Sequence, residues 1–229
     1  MFNNILTANE GQNIVQGRLM NFELNDLIIR VEDGATDDIS SIDDLDAVVV
    51  NARLKRGNTK LILNSMRLSD IFKISNALGG YAFDKSDDQL VARVPVGNIK
   101  LSGQEVLEVE IQNSGSFTDL EIKVSALNNH SGYESIRTYE GINSGGDNQN
   151  FNNTLSIFAM DNYDGSATIN DGDNSYQITA SETETIANSI FEVESYVNEL
   201  GLVYTDKTQN GKSITAKLPE ANYVVVGRL

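Results

Sequence analysis

Residues 45–80, LDAVVVNARLKRGNTKLILNSMRLSDIFKISNALGG, read as strand, tight turn, strand, helix and stop. Gly57-Asn58 is a two-residue turn with glycine first, as a type II′ hairpin prefers. That turn sets a register in which Leu54 faces Leu61 and Ala52 faces Leu63. With Val48 and Val50 these residues make one apolar face, and Arg53, Lys55 and Lys60 point the other way. Leu68, Ile71, Phe72, Ser75 and Leu78 then recur at helical spacing. Ser65 or Ser69 is placed to cap the start of this helix, and Gly79-Gly80 to stop its end.

The chain repeats this pattern. A second helix, Ser181 to Leu200, carries a stripe of Ile186, Ile190, Val193, Val197 and Leu200, and Ser181 with Glu184 forms a capping box. The helices lead into matching segments, LGGYAFDKSDDQLVARVP from Leu78 and LGLVYTDKTQNGKSITAKLP from Leu200. The two prolines of the chain fall on matching positions, Pro95 and Pro219. Earlier, Gly11-Gln12 followed by Asp26–Val31 matches Gly103-Gln104 followed by Asp119–Val124. The order of matches predicts a tandem duplication, residues 11–101 and 103–229. It gives a first domain at 1–101, including an N-terminal arm, and a second at 102–229. The spacing between matches grows, so the second copy is expected to hold about thirty extra residues between Val124 and Ser181. Residues 128–153, rich in Asn, Gly and Ser, are expected to be an exposed insertion.

Short strands with turn signals at intervals of about ten residues argue for β-sandwiches. One helix per copy after an antiparallel hairpin does not fit alternating βαβ units. The fold class expected is mainly β: two tandem jelly-roll β-sandwiches, each with one flanking α-helix.

The net charge of −16 disfavours direct nucleic-acid binding, which is driven by neutralising phosphate. Cysteine is absent, so no disulfide or thiolate metal site is expected. No run of 18 apolar residues suggests a membrane-spanning helix, and MFNNILTANEGQN at the N-terminus lacks the features of a secretory signal.

Catalytic chemistry finds little support. His130 is the single histidine and lies in a polar stretch without a Ser or Asp constellation around it. No Gly-rich phosphate loop follows a strand and opens a helix. No catalytic residue and no enzyme activity are expected. Calcium is the one ligand the acidic loops suit. Asp171, Asp173, Ser175 and Glu182 stand at positions 1, 3, 5 and 12 of an EF-hand-like loop, with Asp171 and Asp173 the candidate ligands. Position 6, where such a loop needs glycine, is Tyr176, and a solvated turn is the competing reading. Asp37, Asp38, Asp43 and Asp44 form a second candidate, against a plain solvated acidic loop.

The paired hairpin-plus-helix units (Val48 to Leu78, Ser166 to Leu200), the matched LG…DK[ST]…P segments and the polar stretch in the second copy resemble the double jelly-roll major capsid proteins. The likeness is to those of tailless, membrane-containing icosahedral bacteriophages, and it covers residues 11–229. The resemblance implies a structural protein of the virion, made in the host bacterial cytoplasm. It implies homotrimers that tile a shell over an internal membrane, with penton or minor capsid proteins as further partners. Two other classes remain open: a carbohydrate-binding or adhesive tandem β-sandwich, in which Tyr133 and Tyr139 would supply the aromatic platform, and a minor capsid or spike protein.

Overall fold

In the computed structural model, which describes residues 1–9, 11–33, 42–78, 89–115, 120–129, 135–172, 174–190 and 200–229, the chain divides into two units, Met1–Ile136 and Arg137–Leu229. The first contains eight strands: β1 (Phe2–Ala8), β2 (Ile14–Met20), β3 (Glu23–Asp33), β4 (Val48–Arg56), β5 (Asn58–Arg67), β6 (Gln89–Lys100), β7 (Val106–Asn113) and β8 (Leu120–Leu127). They pair antiparallel in the orders β1-β8-β3-β6 and β2-β7-β4-β5. β1 pairs with β8, β2 with β7, β3 with β6 and β4 with β5, so each strand meets its mirror in chain order. This is one long antiparallel ribbon wound on itself, the jelly roll.

Alternation fixes which face is buried. Leu27, Ile29 and Val31 of β3, Ile122, Val124 and Ala126 of β8, and Leu107, Val109 and Ile111 of β7 are all essentially inaccessible. Each fully buried side chain of this kind contributes roughly 1.5–3 kcal/mol of transfer free energy. The intervening residues are polar, as a sheet with one wet face requires.

The second unit contains β9 (Arg137–Ser144), β10 (Asn148–Ala159), β11 (Ser166–Asn170), β12 (Ser175–Thr179), β13 (Gly201–Thr205), β14 (Lys212–Lys217) and β15 (Ala221–Arg228). Here β10 changes partners part-way. Its first half pairs with β14, from Asn148 opposite Lys217 to Phe151 opposite Ile214. Its second half pairs with β15 on one side and β13 on the other. The switch falls at Asn153, which has φ +54°, and at the fully buried Thr154. Counting the halves of β10 as two strands restores the same winding: β9 with β15, β10 with β14 and β13, β11 with β12. The second unit is also a jelly roll. Its core is built on Ile157, Ile169, Ile214, Leu218, Tyr223 and neighbours.

In both rolls the helix follows the fifth strand position. α1 (Leu68–Ala77) leaves β5, and α2 (Ala180–Ile190) leaves β12. The repeated hairpin-plus-helix is therefore the true correspondence between rolls. The other matches do not correspond. Pro95 lies inside β6, the sixth position, whereas Pro219 lies between β14 and β15, the seventh and eighth. The 11–31 and 103–124 segments both belong to the first roll. The division at 101/102 is corrected to 136/137, because β7 and β8 hydrogen-bond to β2, β4, β1 and β3. The insertion expected at 128–153 is instead largely the ribbon β9–β10, whose Tyr139 and Ser144 are buried; residues 130–134 lie outside the described residues.

The β4–β5 turn is tighter than expected. Gly57 alone bridges it, with φ +69°, so Lys60 rather than Leu61 lies opposite Leu54, and Leu61 is 43% exposed. Bulges further along restore Ala52 opposite Leu63. At one of them the Ser65 N–H, on a residue with φ +52°, donates to the Asn51 side-chain oxygen at 2.9 Å. Ser65 is thus a bulge residue and no helix cap. The α1 start has no side-chain cap; Arg67 instead clasps Asp70 in the first turn at 2.7 and 2.8 Å. In α2 the capping box is Thr179 with Glu182, two residues before the expected one: Glu182 accepts from the Thr179 N–H and hydroxyl, both at 2.8 Å. Residues 191–199 of the expected second helix, and Gly79-Gly80, lie outside the described residues.

Gly97, in β6, has φ +79°, and the Ser135 carbonyl oxygen stands where its Cβ would be. Gly57 has the same hand of backbone but open space around it. Gly57→Ala should cost about 1–2 kcal/mol from the left-handed backbone alone. Gly97→Ala should cost about 2–5 kcal/mol, because overpacking against a main chain that cannot yield is added. Urea denaturation of the two variants measures the difference.

Candidate functional site

The calcium candidates come first. Asp171 begins the turn between β11 and β12. Its carboxylate accepts the Asn174 N–H at 2.8 Å and lies 3.6 Å from the Lys212 ammonium. Asp173 lies outside the described residues. Glu182 is committed to the α2 cap, and Ser175 is in β12, so these two do not join Asp171 in a loop of ligands. Among the described residues no three His, Cys, Asp or Glu side chains converge as a metal site.

The second acidic stretch has a different use. Residues Ile42–Ala47 form a 3₁₀ turn with Ile42 and Leu45 buried. Asp43 meets Lys73 of α1 at 3.0 Å, Asp46 meets Arg67 at 3.1 Å, and the Ser69 hydroxyl donates to Asp46. These acids hold α1 in place; they are not merely solvated. Asp37 and Asp38 lie outside the described residues. His130 and Tyr133 do too. Tyr139 is 1% exposed, so it offers no platform for a sugar ring.

A third feature is the turn after β13. The Asp206 carboxylate is 2% exposed and accepts N–H bonds from Thr208, Asn210 and Gly211 at 2.9–3.1 Å. Burial opposes its ionisation, but the Thr208 hydroxyl and these backbone donors outweigh burial and hold its pKa below the ordinary value. This is the physical role of the DK[ST] motif in the second roll; Asp84-Lys85-Ser86 lies outside the described residues.

The largest polar constellation was missed in the sequence. On the outer face of β2-β7-β4, Glu108 and Glu110 alternate with the buried Leu107, Val109 and Ile111. Arg18 of β2 donates to Glu108 at 3.0 Å, and Lys55 of β4 approaches it at 2.7 Å. Gln16 and Gln112 donate to Glu110 at 2.5 and 2.7 Å, and Arg53 stands 3.7 Å away. For Glu108 the Lys55 contact, followed by that of Arg18, lowers the pKa against a smaller burial effect. For Glu110 the Gln112 hydrogen bond leads, with help from Gln16 and Arg53. The signal was present: two glutamates at i, i+2 on an otherwise apolar strand must share one face and need cationic neighbours. Which strands would supply them depended on the winding.

The corresponding face of the second roll is almost uncharged. Asn148, Asn150 and Asn152 of β10 lie beside Ser213, Thr215 and Lys217 of β14, then Thr168 and Asn170 of β11. Ser213 donates to Asn152 at 3.1 Å and Thr215 to Asn150 at 2.8 Å.

The winding of both rolls now has counterparts among solved structures. The major capsid protein P2 of bacteriophage PM2 aligns over 100% of this chain and 97% of its own, with a TM-score of 0.52 and 10% identity. The STIV major capsid protein aligns over 98% and 96%, with a TM-score of 0.52 and 8% identity. A chain from the atomic structure of Sulfolobus turreted icosahedral virus aligns over 100% and 89%, with a TM-score of 0.59 and 7% identity. The fold is the double jelly roll. No protein-family model matches this double jelly roll, and no curated protein is significantly similar to it in sequence.

Because the Glu108, Glu110 and Asp206 carboxyls have depressed pKa values in the folded chain, their stabilisation is complete above the ordinary carboxylate range. It is lost as pH falls through the folded values. Glu108→Gln should cost roughly 1 kcal/mol at neutral pH, since its cationic partners are partly exposed. It should also flatten the acid limb of a stability-versus-pH curve below about pH 4.5. Urea titrations between neutral and acid pH check both; an unchanged acid limb would remove Glu108 from the account.

Proposed function

We propose that the chain is a major shell protein of an icosahedral virion. Copies associate as trimers, and the trimers tile a shell over an internal membrane. The observation that carries this reading is the end-to-end likeness: both rolls, and nearly the whole of the PM2 capsid protein, enter one alignment. A single roll is a common scaffold and argues little about function. Two complete rolls fused in one chain are more specific.

Fusion has a geometric use. Closed rings are the usual way for one chain to self-associate. Three chains of two similar rolls present six similar walls about one axis, and a near-hexagonal block packs side by side with few gaps. The rolls have also diverged, one with a charged outer face and one with an amide and hydroxyl face, so alternate corners of such a block differ. Repetition of weak contacts over many blocks then gives a stable shell. The net charge of −16 suits a protein kept from nucleic acid by a lipid layer.

Sedimentation and electron microscopy of the purified chain over a range of salt and concentration test the reading. Trimers that assemble further into sheets or closed shells are expected. A chain that stays monomeric under every ionic condition overturns it.

A further inference from the structure

We propose that the outer face of the β2-β7-β4-β5 sheet is where a second copy of this chain docks, through the acidic outer side of its α2. The proposal rests on the self-assembly reading and adds the surface and the partner element.

Three observations lead to it. First, the face gathers apolar side chains that the fold leaves in water. Ile14 is 65% exposed, Met20 48% and Leu61 43%. Ile14 and Met20 share the parity of Gln16 and Arg18 on β2, and Leu61 lies opposite Arg53, so all three stand on the charged side of the sheet. Exposed apolar groups set among arginines are the composition of an interface core.

Second, the charges are layered. The Glu108 and Glu110 side chains are 9% exposed, beneath Arg18 at 68%, Lys55 at 47% and Arg53 at 34%. The glutamates fix the cations in position, and the cations meet whatever arrives. A cationic face on a chain of net charge −16 is complementary to much of the rest of another copy.

Third, one element offers the matching surface. Residues 180–199 contain five glutamates and no lysine or arginine. Thr183 and Ala187 turn α2 towards its own roll, which leaves Glu184 outward, and Ile190 is 56% exposed. An acidic helix side with an exposed isoleucine fits a cationic sheet face with exposed Ile14 and Leu61. The two surfaces differ, so the contact is heterologous and passes from copy to copy until a ring closes.

The test uses the full chain in sedimentation equilibrium at several salt concentrations, with thermal melting as the folding control. Ile14→Ser/Leu61→Ser removes exposed groups only; it should leave the melting temperature unchanged and weaken association at least tenfold. Arg18→Glu/Lys55→Glu and Glu184→Arg should each weaken association, and the three changes in one chain should recover part of it. If the serine and charge-reversed variants associate like the parent, the docking proposal falls while the shell reading stands. If the parent never associates, both fall. Flotation with vesicles of anionic phospholipid separates the remaining occupant. Lipid binding that Ile14→Ser/Leu61→Ser abolishes, with self-association unchanged, would assign the face to a membrane and overturn the second copy as partner.

Discussion

The structure depends on one requirement: each strand of the wound ribbon must bury every second side chain and hydrogen-bond its neighbours on both sides where it lies inside a sheet. A slip of one residue would turn Leu107, Val109 and Ile111 outward and bring Glu108 and Glu110 into the core. The cost of burying two carboxylates away from Arg18, Lys55 and Arg53 makes that register inaccessible. The salt-bridged face is thus a guard on register as well as a surface.

The second roll meets the same requirement with fewer residues. One strand, β10, serves two positions by bending at Asn153 and exchanging β14 for β15 and β13. Its outward residues there are asparagines, paired laterally with Ser213 and Thr215. Neutral amides and hydroxyls satisfy one another without counter-charges, so this sheet needs no cationic partners. The two rolls therefore share a winding and differ in the chemistry they show to the outside.

Electrostatics elsewhere serves local order. Asp43 and Asp46 secure α1 through Lys73 and Arg67, Glu182 caps α2, and Asp206 closes the turn after β13. Acidic residues that suggested metal ligands by spacing are engaged by nearby donors in three dimensions. Spacing along a chain gives candidate ligands; only the fold decides whether their oxygens face one point.

What the sequence by itself determined was local: the hairpin-plus-helix units, the apolar alternation of β4, β6 and β8, and the two-sandwich class. These follow from periods of two and 3.6 residues and from turn chemistry, which act over a few residues. Winding order was decided by tertiary structure. Segment 103–124 looks like 11–31, yet both belong to one roll, because strands in a wound ribbon pair with mirror positions far along the chain. Residues 137–153 read as an exposed excursion because their outward positions are polar on both strands. The burial of Tyr139 and Ser144 shows instead that they close the second sandwich. The face of Arg18, Arg53, Lys55, Glu108 and Glu110 was equally invisible in one dimension. Its members come from three strands up to 92 residues apart, and only the pairing of β2, β7 and β4 places them side by side.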